Sequence, residues 1–251
     1  MADVVTDVEE YEKRLHETFL LGRLRLRPLD VEANVFAHPQ FVSWRASTDS
    51  SLFLLHGATV APHQTTCSWL SPAAVRIVSN FELVFGNRVG KDSSSLLTHY
   101  LYRPPHTISD EQKKVSLATV ISSIVFQILG SENGKQIIRD EGNYAFVQQS
   151  LEALEEVSPR QVTERCRKLG KVLSKVVVEL GLKSLVIVID RIDQLHGGME
   201  KTVEILTDLM ESTRTAVRVF LTARSRTMFD DTDMKEQLGR RYARVTLNQD
   251  D

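Results

Sequence analysis

Three short runs constrain this chain more than anything else in it: SLFLLHG at 51–57, SLVIVID at 184–190 and VRVFLTAR at 217–224. Each is apolar at consecutive positions, so each must be covered on both faces, and each stops at a glycine or a polar residue. Strands of that kind belong to parallel sheets whose helices pack on both sides. SLLTHYLYR at 95–103 and ARVTL at 243–247 read as further strands. Between them the apolar residues recur at helical spacing, over 72–85, 116–129, 136–154, 159–180, 200–210 and 234–240. A first helix is expected over 5–19, where Val8, Tyr11, Leu15 and Phe19 line one face. The LGRLRLRPL segment that follows, ending at Pro28, alternates leucine with arginine and reads as an edge strand or an extended linker. The pattern predicts an α/β fold, a parallel sheet with helices on both faces preceded by an N-terminal helix. The expected division is 1–44, the helix and connector, and 45–251, the α/β domain.

At 251 residues, 42% hydrophobic and 25% charged, the chain can bury one large core. A net charge of −2 argues against a protein that wraps nucleic acid or lies on an anionic membrane, since both need a basic excess. Cys67 and Cys166 are the only cysteines and form no C-x-x-C pair, so neither a disulfide framework nor a zinc site is expected. The N-terminus is acidic, and eighteen uncharged apolar residues never run together, so a cytoplasmic protein is expected.

In open parallel sheets ligands sit beyond the carboxyl ends of the strands. The 184–190 strand delivers Asp190 there, and Asp193 follows one turn later in IDRIDQL. A buried strand ending in aspartate is what a Walker B motif needs to hold a carboxylate at Mg²⁺; an aspartate that only caps its loop is the alternative. The 217–224 strand ends with Thr222 and Arg224, placed to sense a γ-phosphate or to pair with those aspartates. The first strand should carry the phosphate loop, G-x-x-x-x-G-K-[ST]. Counting from Gly57, Pro62 stands at the second glycine, His63 at the lysine and Gln64 at the hydroxyl. A one-residue shift brings Thr65 to the hydroxyl position, with Thr66 beside it, but puts Gln64 at the lysine. Pro62 lacks an N–H and cannot take positive φ, and neither alignment supplies a fixed cation. The Gly86–Ser93 segment has a Gly-Lys pair at Lys91 but the wrong spacing, and reads as a turn. Trp44, Trp69, His56 and His99 read as packing residues, with Trp69 alternatively shielding a base.

Taken together, LFLLHG, HYLYRP, SLATVISSIVFQIL, LVIVIDRIDQL and VRVFLTARSR resemble the NACHT-type NTPase domain of fungal STAND proteins, and RLRLRPLD with AHPQFVSW resembles the connector before it. The resemblance implies a P-loop NTPase core of the ASCE type and an NLR-like signalling switch that binds ATP or GTP with Mg²⁺ through Asp190 and Thr65. It also implies a nucleotide site of Gly57, His63, Gln64, Thr65, Thr66 and Thr222, with Asp190, Asp193 and Arg224 carrying any hydrolysis. The departures point elsewhere. The lysine is missing, Gln194 stands where the family has glutamate, and Arg191 stands where a small residue is usual. The expectation is a degenerate domain with weak or no hydrolysis and little or no nucleotide, acting on protein partners, either an intact homologue or another copy of itself. A working NTPase with a non-standard loop is the alternative. No G-x-S-x-G, H-E-x-x-H or G-x-G-x-x-G occurs to support an unrelated enzyme.

Overall fold

A computed structural model describes residues 8–20, 29–58, 68–85, 95–102, 115–155, 161–196, 198–225 and 232–248. Its main sheet is built from β1 (Ser51–Ala58), β2 (Ser95–Tyr100), β4 (Ser184–Ile189), β6 (Ala216–Ser225) and β7 (Tyr242–Asn248), in the order β2-β4-β6-β1-β7. Every pairing is parallel. Strand β6 lies between β1 and β4, the additional strand of the ASCE type. Two short strands, β3 (Val115–Ser116) and β5 (Leu195–His196), pair beside it.

The apolar runs follow from this layering. Along β1, Leu52 and Leu54 enter one core while Phe53 and Leu55 enter the other. β4 divides in the same way, with Leu185, Ile187 and Ile189 on one side and Val186 and Val188 on the other. Side chains alternate across a strand, so a strand covered on both faces must be apolar throughout. Each such residue contributes about 1.5–3 kcal/mol by leaving water.

Helices α5 (Leu117–Gly130), α8 (Val162–Leu180) and α9 (Gly198–Ser212) cover the first face. The second is covered by α2 (Pro39–Ala46), α3 (Ser71–Ser79) and α4 (Phe81–Phe85). On that face Phe53 and Phe220, in register on β1 and β6, stack at 5.6 Å, and Phe41 of α2 meets Phe53 edge-on at 5.4 Å. Helix α2 was not expected; eight residues are too few for a clear period. Pro39 at its start, and His38, whose Nδ1 accepts the Gln40 N–H at 3.2 Å, set its beginning.

Two expected helices prove to be broken. Asn80 leaves helical geometry at φ −122°, separating α3 from α4. The helix expected from 136 begins earlier, as α6 (Glu132–Arg139), and α7 (Glu141–Glu155) follows it. Ser131, extended at ψ 160°, ends α5 and caps α6 by accepting the Gly134 N–H at 3.1 Å. Gly134 is obligatory there, since a Cβ would fall 1.9 Å from the Ile128 carbonyl oxygen. Strand β2 ends at Tyr100, short of the expected 103. It lies at one sheet edge, where Gln127 of α5 takes the place of a neighbouring strand. The Gln127 side chain accepts the His99 N–H at 3.0 Å and donates to the His99 carbonyl at 2.6 Å. Among the described residues the remaining α-helices are α1 (Val8–Leu20) and α10 (Thr232–Leu238). No described helix is long and apolar enough to cross a membrane.

Candidate functional site

The carboxyl ends of β1, β4 and β6 converge, and Asp190 stands at their centre with no exposed surface. Three hydroxyls surround its carboxylate. Tyr11 of α1 and Ser71 at the start of α3 each donate to Oδ2 at 2.7 Å, and Thr222 of β6 donates to Oδ1. The Asp190 N–H donates to the Tyr100 carbonyl at 2.9 Å, which ties β2 to the same point. Burial pushes the Asp190 carboxyl above the ordinary aspartate range; the hydroxyls of Thr222, Tyr11 and Ser71 and the charge of Arg191 pull it back only in part.

Arg191 follows in the left-handed region at φ 59° and ψ 52°. Among the described residues it is the only non-glycine with positive φ. Glycine adopts this conformation freely, while another residue is strained by roughly 1–2 kcal/mol. The turn is fixed by the Arg191 N–H, which donates to Thr222 Oγ1 at 2.9 Å. The buried guanidinium turns back onto Asp193, with Nη2 to Oδ2 at 2.8 Å and Nε to Oδ1 at 3.0 Å. It lies 5.8 Å from the centre of the Tyr102 ring. Burial opposes the Arg191 charge, but Asp193, together with smaller contributions from Asp190 and Tyr11, outweighs this and holds its pKa above the usual arginine value. Asp193 also accepts the Gln194 side-chain amide at 2.9 Å and the Arg224 backbone N–H at 3.2 Å.

The fold therefore brings Asp190, Asp193, Thr222 and Arg224 together, as the sequence led one to expect. Gly57 joins them from the end of β1, paired in register with Arg224. A Cβ at Gly57 would stand 2.8 Å from Leu70 Cδ1 and 3.0 Å from Trp69 Cζ2, so a larger residue would require those side chains to shift where the chain passes the start of α3. His63, Gln64, Thr65 and Thr66 lie outside the described residues, as do Cys67 and Lys91. Two residues at the site were not singled out. Ser71 carried a signal of a kind, standing just before Pro72 at the start of a helical pattern. Tyr11 read only as one position of an apolar stripe, and nothing local announces that its hydroxyl meets a carboxylate 179 positions away.

A Mg²⁺-bound nucleotide would need an open oxygen on Asp190. Both oxygens carry hydroxyl hydrogens, and both oxygens of Asp193 face N–H donors. Asp190 has no exposed surface and spends an acceptor position on each of three hydroxyls, so a cation would have to displace a hydroxyl to reach it; in this arrangement the described residues do not fit the group.

The sheet order defines a P-loop NTPase-like α/β domain, and Asp190 and Asp193 at the carboxyl edge of its sheet are bonded into the protein itself. The family model described as Nephrocystin 3, N-terminal, matches residues 32–224, and the chain belongs to that family. No curated protein matches the chain.

Proposed function

We propose that this chain is a degenerate NACHT/STAND-type NTPase domain that works as a regulatory or protein-interaction module, with weak or no nucleotide hydrolysis. One observation carries the reading: Asp190, the residue that should meet Mg²⁺, is fully buried and hydrogen-bonded on both oxygens by Tyr11, Ser71 and Thr222. The loop sequence supports it, since Pro62 and His63 replace the glycine and lysine that cradle phosphate. Arg191 and Gln194 support it too, because they tie up Asp193 where a hydrolytic site would keep a free carboxylate. The partners would be proteins, an intact homologue or a second copy, in the cytoplasm.

Titration calorimetry with Mg·ATP and Mg·GTP, alongside thermal melting, tests this, because a ligand that binds the native state must raise its melting temperature. The expected result is a cooperatively melting protein with no saturable heat and no shift. Micromolar binding with phosphate release that Asp190→Asn abolishes would replace this reading with that of an active switch. The retention of Asp190, Thr222 and Arg224 at one end of the sheet favours that second reading.

A further inference from the structure

Helix α1 reaches the site from outside the sheet, and among its described side chains two, Tyr11 and Leu15, are buried. Among the described residues its apolar contacts form a cluster of their own, Tyr11 and Leu15 against Val75 of α3, with Val8 and Leu101 alongside. Its buried members are distinct from those of the two cores that cover the sheet, and Leu101 packs against one of those cores as well. A helix of 13 residues is marginal in water alone, so α1 depends on docking to remain helical. Elements with few buried apolar contacts open at a fraction of the global free energy. Tyr11 nonetheless joins this element to Asp190, which follows a strand whose every residue is buried.

We propose that α1 is a releasable strap, whose departure uncovers the Oδ2 side of Asp190 and the apolar surface of Val75 and Leu101 in one step. The inference rests on the regulatory reading above and gives it a moving part. On release Ser71 and Thr222 stay with Asp190, since α3 and β6 belong to the main fold. The opened form therefore presents a carboxylate with one donor fewer beside new apolar surface. A protein that packs on Val75 and Leu101 selects the opened form, and so does a ligand that takes the place of the Tyr11 hydroxyl. The two assist each other because both draw on one equilibrium. A partner that clamps α1 in place has the opposite effect.

Native-state hydrogen exchange on the full chain, read by mass spectrometry, tests the strap. Amides of α1 are expected to exchange at least about a hundredfold faster than those of β4 and β6, through an opening that leaves the sheet closed. Leu15→Ala truncates a side chain of the α1–α3 contact and should speed α1 exchange by roughly thirtyfold or more. Labelling of Asp190 by a water-soluble carbodiimide and an amine should rise by a similar factor. Tyr11→Phe keeps the ring and removes the bond to Asp190. It should raise both readouts by about tenfold, and it serves as the test should Leu15→Ala fail to fold. Exchange of α1 only together with β4 and β6, or labelling of Asp190 that stays constant while α1 opens, overturns the proposal. Tight Mg·ATP binding by the unaltered chain would instead sink the regulatory reading, whatever α1 does.

Discussion

Thr222→Val removes one hydroxyl and keeps the shape, which makes it a sharp probe of the site. Thr222 has no exposed surface, so no water can replace what is lost. Two bonds go: the one donated to Asp190 Oδ1, and the one accepted from the Arg191 N–H at 2.9 Å. A hydrogen bond to a charged acceptor contributes about 1.5–3 kcal/mol, and a buried N–H left without a partner costs about 1–3 kcal/mol. The extra methyl of valine recovers somewhat under 1 kcal/mol. With Asp190 ionised the expected loss is therefore about 2–5 kcal/mol, measured by urea unfolding. Thr222→Ser, which keeps the hydroxyl, should cost only about 1 kcal/mol.

The pH dependence has a definite sign. The folded Asp190 pKa stands above the ordinary 3.8. Stability from this group is therefore fully present below 3.8 and is lost as pH rises through the folded value. Thr222 is one of the groups that lower that value, so its loss moves the window upward. The difference between Thr222→Val and the unaltered protein should grow as pH rises through the folded Asp190 value, leaving mainly the Arg191 N–H contribution below it. A loss below about 1 kcal/mol, or one that does not grow anywhere as pH rises from acid, would refute the account of Asp190 as a buried carboxylate held by hydroxyls.

Two further substitutions examine the elements around it. Gln127→Leu should cost about 1–2 kcal/mol by urea unfolding, expose the His99 amide to exchange, and increase concentration-dependent association through the opened β2 edge; unchanged His99 protection would show that the edge is closed by other means. Arg191→Gly relieves the left-handed backbone but strands Asp193, for a net loss of about 2–3 kcal/mol, of which Asp193→Asn in the same chain should restore at least about 1 kcal/mol; strictly additive effects in that cycle would mean that the pair is not coupled.

The sheet was legible because burial on both faces writes itself into consecutive residues, as in LVIVI and VRVFL, and because such strands deliver their next polar residue to the carboxyl edge. That logic located Asp190, Asp193, Thr222 and Arg224. It missed α2, too short to show a period, and it ran through the breaks at Asn80 and Asp140, where one side chain or one twisted residue interrupts an otherwise continuous apolar pattern. Gln127 stood out only as part of a resemblance; its task of closing the β2 edge is visible once α5 lies against that strand.

The sequence by itself determined that the strands are doubly covered and parallel, that acids and a threonine gather at one end of the sheet, and that the segment following Gly57 has no lysine where a phosphate loop would need one. Only the tertiary structure decided what those acids do. Local patterning reports how much of a residue is buried, whereas the partner of a buried polar atom depends on which distant segment arrives opposite it. Here α1 and α3 bring Tyr11 and Ser71 to Asp190, and the left-handed turn at Arg191 folds its guanidinium onto Asp193. Carboxylates that the sequence offers for a cation are thereby bonded into the fold.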